Sequence, residues 1–171
     1  MPYPEAMVKP MREELTRIGV EELRDASDVD AVFENDSEGT TLLVINSVCG
    51  CAAANARPAV SLAQRAEQQP DRYVTVFAGQ DLEATERARE FLQGIPPSSP
   101  FMALFKDGDP VYVVERKHIE GRSANAIASD LADAFETYCG HGAASDETPS
   151  TPDAEASEGD DDLPSTFKSI M

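Results

Sequence analysis

Thr41-Leu-Leu-Val-Ile-Asn-Ser-Val-Cys49-Gly-Cys51-Ala-Ala-Ala-Asn-Ala-Arg57-Pro58 reads as a strand, a tight turn and the start of a helix. Thr41 to Ile45 is a continuous apolar run, the pattern of a strand covered on both faces. It stops at two cysteines separated by one glycine, and a run of small residues with helical character follows. A helix N-terminus presents unpaired N–H groups and a partial positive charge, both of which favour an anion. The thiolate is the nucleophilic form of cysteine, and a free thiol is mostly protonated at neutral pH. Cys49, just before the first helical turn, is therefore the expected attacking thiol. Cys51, inside that turn, is the expected resolving thiol and the less exposed of the two. Gly50 allows the backbone angles that a Cys-x-Cys turn can demand, and strain in so small a ring makes an internal disulfide easy to reduce.

The neighbouring polar residues have modest expected roles. Asn46 and Ser47 are placed to bond the turn backbone, with the thiolate as the alternative partner. Arg57 reads as a solvated arginine and Pro58 as an interior proline that kinks the helix. No tryptophan occurs in the chain, and no acid lies in the strand before the cysteines.

Outward from this stretch, strand and helix signals alternate. Pro4 to Ile18 has Met7, Met11, Leu15 and Ile18 at helical spacing before Gly19. Val20 to Leu23 is a short strand. Ser27 reads as the N-cap of a helix carrying Val29, Val32 and Phe33. Ala52 to Gln68 is the helix after the cysteines, and Tyr73 to Ala78 the next strand. Asp81 caps a helix to about Leu92, with Leu82, Thr85, Ala88 and Phe91 at helix-like intervals. Phe101 to Phe105 and Val111 to Val114 flank Asp107-Gly108, a hairpin signal. Ser123 caps a last helix to about Cys139 that buries Ile127, Leu131 and Phe135. Crossovers between parallel strands followed by an antiparallel hairpin define an α/β mixed sheet. This order resembles the thioredoxin-like three-layer sandwich. In that fold Pro100, before the hairpin strand, is expected to be cis and, with Gly50 and Ser99, to bind substrate beside the thiols.

The chain has 171 residues, with 32 acids against 14 bases and a formal net charge of -18. Eight acids and one lysine lie after Ala143, leaving 24 acids and 13 bases before it. A domain over residues 1–142 and a disordered acidic tail over 143–171 are expected, because the tail holds too little apolar surface to offset its ordering entropy. The acidic field repels phosphate backbones, which argues against nucleic acid as a partner. No signal peptide or membrane-crossing run is visible, so a cytoplasmic location is expected. An acidic surface with few lysines suits a high-salt interior. Unfolding midpoints are accordingly expected to rise with KCl concentration, and maximal stability at low salt would contradict that reading.

Asn46-Ser-Val-Cys49-Gly-Cys51-Ala-Ala and Ala56-Arg57-Pro58-Ala59 resemble the bacilliredoxin family. So do Val74-Thr-Val-Phe-Ala-Gly-Gln-Asp81, Pro97-Ser-Ser-Pro100 and His118-Ile-Glu-Gly121. The likeness runs from the first helix to Cys139, and the acidic tail departs from the family pattern. The resemblance implies a thiol–disulfide oxidoreductase that removes bacillithiol, or a similar low-molecular-weight thiol, from S-thiolated cytoplasmic client proteins. It also implies weak disulfide isomerase activity. The small thiol is then a co-substrate and no bound cofactor is expected. Two other readings compete. Cys49, Cys51, Cys139 and His141 have the residue types of a zinc set, but seventeen residues from Ser123 to Cys139 span about 25 Å of helix. That length carries Cys139 away from Cys49, so no metal site is expected, and His118 and His141 read as surface residues. The other competitor is a non-enzymatic adaptor whose tail recruits partners.

Overall fold

Central strands buried along nearly their whole length set the architecture of this protein. The computed structural model describes residues 2–139. The proposed tail and His141 lie outside them. In chain order the elements are α1 (Glu5–Thr16), β1 (Glu21–Glu22), α2 (Ala26–Asp30), β2 (Thr40–Asn46), α3 (Arg57–Ala63) and β3 (Arg72–Phe77). They continue as α4 (Leu82–Glu90), β4 (Phe101–Lys106), β5 (Asp109–Val114), α5 (Arg116–Ile119) and α6 (Ala124–Tyr138). The strands form one sheet in the order β1-β3-β2-β4-β5. β3 is parallel to β1 and β2, whereas β4 is antiparallel to β2 and β5. This is the thioredoxin-like arrangement.

Every residue of β2 is buried, as a central strand covered on both faces requires. Leu42 and Val44 join Met102, Leu104, Val60, Leu131 and Phe135 in one core layer beneath α3 and α6. Leu43 and Ile45 point the other way, to Phe101, Ala103, Phe105, Val29, Phe33 and Ala88 beneath α2 and α4. The period-two alternation of side chains thus divides the apolar residues between two layers. The hairpin between β4 and β5 turns at Asp107 (φ 52°) and Gly108 (φ 89°), the paired positive φ values of a type I′ turn. Among the described residues no helix is long and apolar enough to cross a membrane.

Several local expectations are corrected. The buried stripe of α1 is Val8, Arg12 and Leu15, while Met7 is 48% exposed. The helix is turned by one residue, about 100°, because Arg12 is held inside by three carboxylates. Its guanidinium donates to Asp81 at 2.7 and 3.0 Å, to Glu22 at 2.7 Å and to Glu5 at 2.8 Å. Asp81 stands at the N-cap position of α4 but makes no side-chain cap bond, its oxygens being taken by Arg12. Leu82, expected on the apolar face, is 55% exposed. The N-cap of α2 is Asp25, which accepts from the Asp28 N–H at 2.9 Å, and Ser27 lies within the helix.

The helix after the cysteines is not one kinked rod. Ala52–Ala56 is a π-helical turn, in which the Arg57 N–H bonds the Ala52 carbonyl five residues back. Pro58 then occupies the first turn of α3, which ends at Ala63, well short of Gln68. A proline is accommodated in a first helical turn, where its missing donor is not needed.

Candidate thiol site

The site stands where β2 ends and the helical chain begins. Asn46 closes the strand; its side-chain oxygen accepts from the Ser47 N–H at 2.8 Å and its amide donates to the Met11 carbonyl at 3.3 Å. Ser47 turns its hydroxyl to Cys49, donating to Sγ at 3.3 Å and accepting from the Cys49 N–H at 3.4 Å. The Cys49 carbonyl accepts from the Ala52 and Ala53 N–H groups at 3.0 and 3.3 Å, which starts the helical turn. Asn46 thus serves the turn backbone, and Ser47 serves both backbone and thiol.

The two thiols are unequal. Both are free and half-buried. Burial pushes the Cys49 thiol up, but hydrogen bonds from the Cys51 thiol, the Ser47 hydroxyl and the Ala52 and Cys51 N–H groups outweigh it. The net result lies below the ordinary value. Cys51 is pushed up, first by burial and then by its bond to Cys49 and the negative charge of that sulfur. Its side chain packs against the core layer beneath α3 and α6. The opposite shifts make Cys49 the thiol of the pair that ionises first. Gly50 is not among the glycines with positive φ, so this turn makes no use of the freedom expected of it. A Cβ placed there would meet nothing within 4 Å, which leaves open space above the pair.

A pH dependence follows. Alkylation of Cys49 by iodoacetamide is expected to rise through an inflection lower than that of a free thiol, and Ser47→Ala should move that inflection upward. The stabilisation of the folded thiolate is present above the ordinary thiol pKa and is lost as pH falls through the lowered one. A reactivity profile that matches free cysteine in both proteins would contradict the assignment.

Arg57 is the largest departure from expectation around the site. It is 3% exposed rather than solvated. Nη1 donates to Asn46 Oδ1 at 2.9 Å and to the Ser47 carbonyl at 3.0 Å, and Nε pairs with Glu14 at 2.7 Å. It braces the strand end and the turn from behind. Its spacing from the cysteines carried no sign of this, because the partners come from β2 and α1. His118 is also corrected: its Nδ1 accepts from the Glu115 N–H at 3.0 Å and burial lowers its pKa. It caps α5, an element that no periodicity marked.

The Ser99–Pro100 peptide bond is cis, as expected. Ser99 lines a groove of about 370 Å³ with Ser47, Cys49, Tyr3, Arg89 and Arg116, whereas Pro100 is buried. Arg116 donates from Nη1 to the Ser99 carbonyl at 3.1 Å and from its backbone N–H to Ser98 Oγ at 3.2 Å. The structure thus joins Cys49 and Ser99 in one groove and adds Arg89 and Arg116, with Cys51 hydrogen-bonded to Cys49 from the core side. At the far end of β2, Cys139 lies by Thr40, Asp71 and Lys106, and burial pushes its thiol up. The set of thiols weighed for zinc is therefore not brought together. Among the described residues, no group of three His, Cys, Asp or Glu side chains is arranged to hold a metal ion.

A thioredoxin-type sheet with two thiols at the helix start after its central strand defines a thiol–disulfide oxidoreductase. Residues 3–139 match the family described as Disulphide isomerase. A bacilliredoxin of Salinibacter ruber is 66% identical over 172 residues, covering 99% of both chains. One from Koribacter versatilis is 51% identical over 138 residues, covering 81% of this chain and 94% of its own. Among solved structures, a reduced thioredoxin of Schistosoma mansoni is similar, with a TM-score of 0.47 and 19% identity over 68% of this chain and 97% of that one. The chain belongs to the bacilliredoxin family of thioredoxin-like thiol–disulfide proteins. The family match stops at residue 139 and the Koribacter versatilis alignment covers nearly all of that relative without a counterpart of the tail, so the acidic tail departs from that pattern, as expected, and is shared with the Salinibacter ruber relative.

Proposed function

We propose that this protein removes bacillithiol from mixed disulfides on cytoplasmic proteins, with Cys49 as the attacking thiol and Cys51 as the resolving one. The observation that carries this reading is the asymmetry of the pair, with the lowered thiol on the groove and the raised one against the core. In the first step the Cys49 thiolate attacks the bacillithiol sulfur of the client mixed disulfide. A Cys49–bacillithiol disulfide forms and the client leaves as its thiolate. Two routes then restore Cys49. A second bacillithiol thiolate attacks the bound bacillithiol sulfur and leaves as the oxidised dimer. Alternatively, the Cys51 thiolate attacks Cys49 and expels bacillithiol, forming an internal disulfide that two further thiol equivalents reduce.

Gly50, Ser99 and Pro100 are assigned to the substrate face. The chain's own sulfurs carry the chemistry, and bacillithiol is the co-substrate, not a bound cofactor. The same attack on a protein disulfide supplies weak isomerase activity, and the description of the matched family supports that second reading. The test follows a client protein carrying bacillithiol as a mixed disulfide. Free client and a transient bacillithiol adduct on this protein are expected, and an unchanged client would contradict the proposal.

A further inference from the structure

The groove beside Cys49 holds two cations in a chain whose net charge is -18. Arg116 is committed in part, pairing through Nε with Glu120 at 2.7 Å. Arg89, in the last turn of α4, is not. Among the described residues no carboxylate lies within ion-pair distance of it, and its hydrogen bond runs from Nη2 to the Ser98 carbonyl at 3.2 Å. Its Nε is buried without a hydrogen-bond partner. Burial pushes its guanidinium below the ordinary value, which marks a desolvated cation with no anion beside it. A buried donor without a partner costs about 1–3 kcal/mol and usually has a reason. Seven of the nine other arginines have acidic partners, and the remaining two, Arg17 and Arg65, are exposed.

We propose that Arg89, assisted by Arg116, binds a carboxylate of the small thiol as its sulfur is transferred to Cys49. The inference rests on the thiol-exchange reading above and adds to it the residues that recognise the non-sulfur end of the substrate. A guanidinium presents a planar fork of donors that matches a carboxylate. The groove is of the size that encloses a small ligand. Its two cations oppose the long-range repulsion that this acidic protein exerts on an anionic thiol. Ser99, Cys49 and Arg89 share the lining, so one molecule can present an anion to Arg89 and a disulfide to Cys49.

Two client mixed disulfides test this, one made with mercaptosuccinate and one with mercaptoethanol, at one fixed KCl concentration. The measured quantity is the ratio of their kcat/KM values, compared between proteins so that intrinsic sulfur reactivity cancels. Arg89→Gln is expected to lower the mercaptosuccinate-to-mercaptoethanol ratio about tenfold, mainly through KM, with Arg89→Lys recovering part of it. In the unaltered protein, succinate should slow alkylation of Cys49 and succinamide should not, which reads the site without any substitution. A ratio unchanged in Arg89→Gln, or equal effects of succinate and succinamide, overturns the carboxylate site and leaves thiol exchange standing. Exchange with neither adduct overturns both.

Discussion

Cys49→Ser is expected to lower the rate of thiol transfer from a client mixed disulfide on the order of 10³-fold or more. A serine hydroxyl has no accessible anion at neutral pH and does not attack sulfur, so no residual pathway replaces it. Cys51 does not substitute, because its side chain packs against the core layer beneath α3 and α6 and burial holds its thiol up. Cys51→Ser is expected to behave differently. Its first transfer persists, and the adduct on Cys49 is discharged only by free small thiol. Cys51→Ala, which unlike Cys51→Ser leaves no donor at that position, removes the hydrogen bond that Cys51 gives Cys49, so its Cys49 reactivity profile should move to higher pH. A Cys49→Ser protein that retains full transfer, or two mutants of equal activity, would remove the basis for dividing the roles.

The second large effect concerns the fold. Arg12→Leu leaves Asp81, whose side chain is 7% exposed, with Arg24 Nε at 3.4 Å as its remaining ion-pair contact. The guanidinium also lies 5.4 Å from the centre of the Phe77 ring, so the change takes a cation from over an aromatic face. Breaking a buried pair by removing one partner costs about 3–5 kcal/mol, since the other charge stays buried. Urea unfolding is expected to show a loss of that size with an unchanged slope. Arg12→Leu combined with Asp81→Asn should recover part of it, because the orphaned charge is gone. A loss under about 1 kcal/mol would show that water reaches Asp81 and that the cluster contributes little.

These two sites differ in how far the sequence revealed them. The thiols were legible because their chemistry is local: Cys49 and Cys51 sit at a strand-to-helix junction that Thr41 to Ile45 and the small residues after Cys51 both mark. The sheet was legible for a similar reason. Buried strands announce themselves as apolar runs, and Asp107-Gly108 fixes one hairpin. Arg12, Arg57, Arg89 and Arg116 were not legible, since each takes its meaning from residues distant in the chain. Arg57 meets Glu14 across 43 positions, and Arg12 meets Asp81 across 69. A helical stripe that buries an arginine also shifts the apparent apolar face by one residue, which is how Met7 and Met11 displaced Val8 and Arg12 in the sequence reading. The π-helical turn before Pro58 likewise leaves no periodic signal, being only five residues long.

The central claim is that the small thiol is transferred first to Cys49. Intact mass and peptide mapping of the Cys51→Ser protein, after reaction with a bacillithiolated client and no free thiol, test it most directly. One bacillithiol on Cys49, with client released in equal amount, is the expected result. Bacillithiol on Cys139 alone, or released client with no adduct on Cys49, would contradict it.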